Sequence, residues 1–269
     1  MFYAKEFSYA GRPSTKYNLL IAEIDGSNVV ETDSCSFELN AVKASASHKF
    51  IHAGINVGEA PTCEISLIRQ EPIPASLRGE ILSWLLGKPQ FEKLTFKNSD
   101  NSTFTFYCVF THASNIYVNG YCRGFRLTMT MDSIYARGTP TEIKIKNPAE
   151  LTSAQDKTHT VRLLNNSQII DGYTYPFVEF SGAGITIVNE TDDSSRAFTV
   201  MPMDVDANTE IDNEAMTIKS TSSNSTTPMY GFGRRWLRLK NGYNNLKITL
   251  DTRGAYAKIV CPHYALIGF

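Results

Sequence analysis

The chain has 269 residues and carries 26 basic against 27 acidic side chains, a net charge of −1, so it lacks the cationic excess with which proteins neutralise nucleic-acid phosphates. Hydrophobic residues at 42% and charged residues at 20% exclude disorder over most of the length. The size exceeds that of a usual single domain and predicts two, each with its own core.

Read in chain order, apolar and polar residues alternate from Phe2 to Asp25 around turn-formers, in Phe7–Gly11, Ser14–Tyr17 and Leu19–Asp25, which predicts two strands and a connection. Further strands are expected at Ser34–Leu39, Phe50–Ile55 and Thr62–Ile68, with Ala41–Lys49 between them small, polar and unpatterned, as in a flexible arm. A helix follows: Pro74 suits a first turn, Leu77, Ile81, Trp84 and Leu85 form one apolar face, and Gly87 and Pro89 stop it. Strands are next expected at Phe91–Lys97, Thr103–Phe110 and Tyr121–Met131. The first domain is thus mainly sheet with one helix packed on it.

Between Arg137 and Asp156 the pattern breaks into Gly138, Pro140, Pro148 and polar residues around a short Glu142–Asn147 strand, the composition of a domain boundary. The cut is placed at Lys146, giving domains 1–146 and 147–269. Short strands then recur at Thr160–Leu164, Phe177–Phe180, Gly184–Val188, Ala197–Met201, Thr209–Asp212, Met216–Lys219, Trp236–Leu239, Leu246–Leu250 and Ala257–Val260, the spacing of an antiparallel sandwich or jelly roll. Asn241-Gly242 supplies residues that tolerate positive φ in a hairpin between Trp236–Leu239 and Leu246–Leu250. Ser220–Thr227, built of Ser, Thr and Asn with one leading Ser-Thr pair, reads as a solvated loop.

No stretch reaches the ~18 apolar residues of a membrane helix, and the amino terminus carries no basic-then-apolar leader. A cytosolic site of synthesis is expected. Cys35, Cys63, Cys108, Cys122 and Cys261 then read as reduced, buried thiols, and sequon matches at Asn101, Asn165, Asn189 and Asn224 as unused.

No constellation supports catalysis. His48 and His52 are four apart outside any helical pattern and lack a third ligand. Asp204, Asp206, Asn208, Glu210 and Asp212 follow a calcium-loop template, but Thr209 replaces its glycine and Ala215 its terminal glutamate. Gly182-Ala-Gly184 lacks the third glycine of a dinucleotide loop, and Gly87-Lys88 leads into a proline. No nucleophile elbow or triad occurs. The expectation is therefore no enzyme, cofactor or metal. Trp84 and Trp236, set in apolar patterns, are assigned to cores, whereas Tyr173, Tyr175, Tyr230 and Tyr243, near turns, are candidate ligand or partner contacts. Those tyrosines also allow a second reading, a carbohydrate-binding adhesion module acting through the C-terminal sandwich, although such a binder has no need of the first domain.

Several segments resemble the siphophage distal tail proteins. The opening from Phe7 through Ser-Tyr-Ala-Gly-Arg-Pro-Ser-Thr-Lys-Tyr-Asn to Leu19 is similar to the start of that family, and Leu77–Phe96, a helix ending Ser-Trp-Leu-Leu-Gly and a strand Phe-Glu-Lys-Leu-Thr-Phe, to its helix and following strand. Tyr107-Cys-Val answered by Gly124-Phe-Arg-Leu-Thr-Met resembles its paired strands. Tyr175-Pro-Phe-Val-Glu, Gly184-Ile-Thr-Ile-Val-Asn, Glu210-Ile-Asp and the Trp236 hairpin appear in the order of the family's galectin-like domain. The polar segment Ala41–Lys49 and the Ser220–Thr227 loop depart from the pattern.

The resemblance implies a mainly β protein, with a sandwich-like first domain carrying one helix and a galectin-like or jelly-roll second domain. It further implies a structural hub of the virion tail tip, assembled in the host cytoplasm. The first domain would join copies of itself into a hexameric ring between the tail-tube protein and the tip protein, and the second would project outward. In some phages such a ring carries receptor-binding proteins. DNA would pass through without specific binding.

Overall fold

The computed structural model describes residues 6–21, 37–43, 50–57, 61–97, 102–150, 157–169, 172–201, 206–221 and 231–266. Buried and exposed side chains alternate along most strands, as in β9, where Phe125, Leu127, Met129 and Met131 are buried on one face, the signature of sheets with one face on a core. The elements are β1 (Glu6–Tyr9), β2 (Arg12–Pro13), a 3-10 turn (Ser14–Tyr17), β3 (Leu20–Ile21), β4 (Phe37–Lys43), β5 (Phe50–Val57), β6 (Thr62–Ile68), α1 (Ala75–Leu85), β7 (Glu92–Lys97), β8 (Thr105–Val118), β9 (Tyr121–Met131) and β10 (Tyr135–Lys146). They continue with β11 (Thr158–Asn165), β12 (Phe177–Ser181), β13 (Ile185–Asn189), β14 (Ala197–Val200), β15 (Asn208–Asp212), β16 (Thr217–Ser220), β17 (Gly242–Leu250) and β18 (Tyr256–Leu266). The chain is mainly β, and it divides into two compact units, residues 1–137 with 266–269, and residues 138–265.

In the first unit the strands follow the order β3-β6-β9-β8-β7-β1-β2, each pair antiparallel. The register places Leu67 opposite Phe125 and Tyr9 opposite Leu94, so their side chains enter one core. Helix α1 buries Ile81, Trp84 and Leu85, spaced at i, i+3 and i+4 as a core-facing stripe requires. Trp84 stacks on Phe7 with ring centroids 5.9 Å apart, and its indole N–H donates to the Tyr9 carbonyl at 3.1 Å. That bond satisfies the one polar atom this large side chain takes inside. Strands β4 and β5 form a two-stranded sheet of their own with a register shift at Asn40/Ala41. Ala41–Lys43 of the expected arm are therefore strand, and residues 44–49, with His48, lie outside the described residues.

Strand β8 runs to Val118, eight residues beyond the expected end at Phe110. Its distal half is mostly exposed, so no apolar alternation marked it, and its pairing with β9 is what makes it strand.

The second unit is a sandwich. One sheet has the order β16-β15-β12-β18-β10 and the other, four-stranded, β11-β17-β13-β14. Val178, Phe180, Ile211, Ile259 and Cys261 from the first sheet meet Leu163, Ile185, Ile187, Phe198, Leu246 and Ile248 from the second in one buried cluster, as where two sheets pack face to face.

Two expectations are corrected. The linker expected from Arg137 onward is instead the twelve-residue strand β10. Pro140 and the alternation of charge with Ile143 and Ile145 suit a strand that turns one face to water. It neighbours β18, so residues 138–146 belong to the second unit, and the unit boundary at Arg137/Gly138 lies upstream of Lys146. The Trp236 hairpin is also absent: residues 236–238 form no strand, and Leu239 makes a single antiparallel bridge to Thr174. The reason is that β17 already pairs with β11 on one edge and β13 on the other. The turn itself survives, with Gly242 at φ 88°, and side chains replace the missing ladder. Fully buried Asn244 donates to the Lys240 carbonyl at 2.8 Å and accepts from the Lys240 amide at 3.0 Å. Asn189, Asn165 and Asn213 bind backbone groups of Arg238, Lys240 and Leu237 in the same manner.

Candidate functional site

The segment from Arg235 to Lys240 is fixed by a compact ionic cluster as well as by those asparagines. Asp192 lies in the turn after β13, with its carboxylate side chain only 5% exposed. It accepts the Arg238 Nε–H at 2.7 Å and the Tyr173 hydroxyl at 3.1 Å, and Lys240 Nζ stands 3.6 Å away. The Arg238 guanidinium lies over the Tyr173 ring, 3.9 Å from its centroid, a cation–π contact that also orders the tyrosine. Burial disfavours the charged carboxylate, but the bonds from Arg238 and Tyr173 outweigh it and hold Asp192 below the usual carboxylate range. The same contact holds the Arg238 guanidinium above its ordinary value. These groups bind one another, so the chemistry of the cluster is that of a clamp.

Tyr243 stands apart from it. It lies on the outer face of β17, 53% exposed, beneath the Arg162 guanidinium at 3.7 Å from its ring centroid. An aromatic ring fixed by a neighbouring cation presents a rigid, amphipathic contact area at small entropic cost. Tyr175 is half-buried, and Tyr230 lies outside the described residues, as do Asp204 of the incomplete calcium template and most of the Ser220–Thr227 loop. The structure thus holds Tyr173 and Tyr243 in separate cation–π pairs rather than on one platform. Trp84 is buried at 3% exposure, whereas Trp236 is only partly buried, packed against the core and 4.5 Å from the Phe232 ring.

Among the described residues no three His, Cys, Asp or Glu side chains converge as metal ligands. Cys108 and Cys261 are buried, and burial pushes the Cys261 thiol up to about 12, far from the thiolate a nucleophile needs. Asp192, Arg238 and Arg162 carry no local sequence signal, because a charge that folding will pair looks like any solvated one. The buried asparagines had one local sign, the Asn241-Gly242-Tyr243-Asn244 turn.

Comparison with known proteins places the whole chain. A model described as a phage tail protein N-terminal domain matches residues 2–133, and one described as a phage tail C-terminal domain matches residues 130–261. Among solved structures, the Dit protein (gp 19.1) of phage SPP1, described as a paradigm of the hub adsorption apparatus in phages infecting Gram-positive bacteria, aligns with a TM-score of 0.65 at 16% identity, over 97% of this chain and 99% of that one. A chain of the phage P2 baseplate in its activated conformation with Ca aligns at 0.50 and 11% identity, over 97% and 98%. The same baseplate with Sr gives 0.50 and 12%, over 97% and 98%. No curated protein sequence matches the chain.

Proposed function

Since the chain belongs to the phage tail protein family whose two domain models together span residues 2–261, and has the distal tail protein fold, we propose that it is the non-enzymatic structural hub of a siphophage tail tip. The observation that carries this reading is the consecutive match of the two tail-protein domain models along the chain together with an alignment covering 97% of this chain and 99% of the Dit protein. The first domain joins copies of itself into a hexameric ring with an open centre, which links the tail-tube protein to the tip protein and lets DNA pass. The second domain, bearing the Asp192 clamp and Tyr243, is peripheral and offers its outer face to other baseplate or receptor-binding components.

The physical features are in keeping with assembly. A near-neutral chain avoids the self-repulsion that would oppose ring closure, and cyclic closure satisfies repeated identical contacts. Light scattering and electron microscopy of the purified protein test the proposal: a hexameric ring is expected, alone or on addition of the tube or tip protein. A monomer under all of these conditions refutes it.

A further inference from the structure

The hairpin of β8 and β9 ends in a two-residue turn, Asn119-Gly120, with φ of 51° and 81°. Both values are left-handed, as in the tight hairpin turns that favour Asn-Gly. The turn carries an unusual load. Of the eight large hydrophobic side chains exposed among the described residues, three flank it: Tyr117 at 57%, Val118 at 47% and Tyr121 at 61%. Isolated apolar residues on a surface need no explanation, but a cluster beside a concavity does.

Such a concavity is present in the same unit. Pro72, Pro74, Arg78, Tyr117, Tyr121 and Cys122 line a cleft of about 550 Å³ between the hairpin tip and the start of α1. None of its nine lining residues is acidic, and Arg78 is the one charged side chain among them. Arg78 donates to the Tyr117 hydroxyl at 3.1 Å and makes no ion pair among the described residues. The bond holds its guanidinium at the cleft wall. The next residue along β9 from Cys122 lies outside the cleft lining. Arg123 is the extra residue of a β-bulge opposite Ile116/Tyr117, and its buried Nε–H finds no acceptor. An unpartnered buried guanidinium N–H is costly, while the neighbouring Arg69 is paired with Glu71 at 2.8 Å.

We infer that this cleft docks a segment of a partner protein that presents a carboxylate beside an apolar side chain. The carboxylate binds the Arg78 guanidinium, which is suited to bidentate recognition, and the apolar group lies against Tyr117 and Tyr121. Charge complementarity selects this occupant: a basic or purely apolar segment would leave Arg78 desolvated and uncompensated. Within a hub the segment belongs to a neighbouring tail protein, and to that extent the inference rests on the function proposed above.

The test uses full-length protein and a fluorescein-labelled probe peptide, Gly-Glu-Leu-Asp-Phe-Glu, with a control in which Gln and Asn replace the acids. Anisotropy should report binding that weakens with salt, and the control should bind at least about tenfold more weakly, the effect of ~1.4 kcal/mol. Arg78→Glu and Tyr121→Ser should each weaken the acidic peptide at least about tenfold with melting temperature unchanged, and Arg78→Lys should restore part of the loss. Tyr121 is at the exposed tip, so its replacement keeps the test valid if Arg78→Glu fails to fold. No binding to the wild-type protein, equal binding of the two peptides, or unaltered binding by the variants overturns the inference. Ring formation is read separately by light scattering, so its failure is distinguishable from failure of the cleft.

Discussion

Removing residues 138–146 from the second domain should weaken it measurably, although nothing in their composition marks them as part of a core. The comparison is between fragments 138–269 and 147–269. The shorter one loses the part of β10 that neighbours β18, with the partly buried Ile143 and Ile145 packed on the core and the Glu142–Lys258 ion pair at 3.3 Å. A fully buried isoleucine contributes about 1.5–3 kcal/mol, so two half-buried ones contribute about 1.5–3 kcal/mol together. The exposed ion pair adds little. The lost ladder bonds, at about 0.5–1.5 kcal/mol net each, are largely offset by the freed backbone entropy of about 1–2 kcal/mol per residue. The expected loss is therefore about 1.5–3 kcal/mol out of a total of ~5–15 kcal/mol. Urea titration followed by tryptophan fluorescence measures it directly, because Trp236 is the only tryptophan either fragment contains. With a slope of ~2 kcal/mol/M the midpoint should fall by about 1 M. The uncovered edge of β18 should also make the shorter fragment prone to aggregate. Two soluble monomers with the same midpoint would refute the placement of β10 in the second domain.

Trp84→Ala should cost about 3–5 kcal/mol as a large-to-small core change, whereas Trp236→Ala, only partly buried, should cost about half of that; thermal melts of the two variants make the comparison. Gly124→Ala should destabilise the first domain by about 1–3 kcal/mol, because its Cβ would collide with the Leu67 carbonyl of the paired strand, and calorimetry should place the whole loss in that domain's transition. Asp192→Ala should cost the second domain about 1.5–3 kcal/mol through the lost bond to Arg238. Since the Asp192 pKa is depressed by folding, its contribution is complete above its unfolded value of ~3.9 and is lost as pH falls through the lower folded value. Asp192→Asn should therefore flatten the decline in melting temperature below about pH 4, and an identical decline in both proteins would count against the clamp.

What depends on short-range pattern is legible in the amino-acid order alone. The period of apolar residues placed α1 and most strands of both units, since one-faced burial writes its repeat into the chain whatever the partner. The order of loose motifs was likewise enough to suggest the tail-protein family. Tertiary structure alone decided who pairs with whom. Residues 111–118 are strand because β9 lies beside them, and residues 138–146 join the second domain because β18 does. Trp236–Leu239 is not a strand because β11 and β13 occupy both edges of β17 first. The Asp192 clamp and the Arg78 cleft were illegible for the same reason. Hydrogen-bonded members are 19, 46 and 39 residues apart in the chain, and a charge or a tyrosine acquires its role from neighbours that only the folded chain supplies.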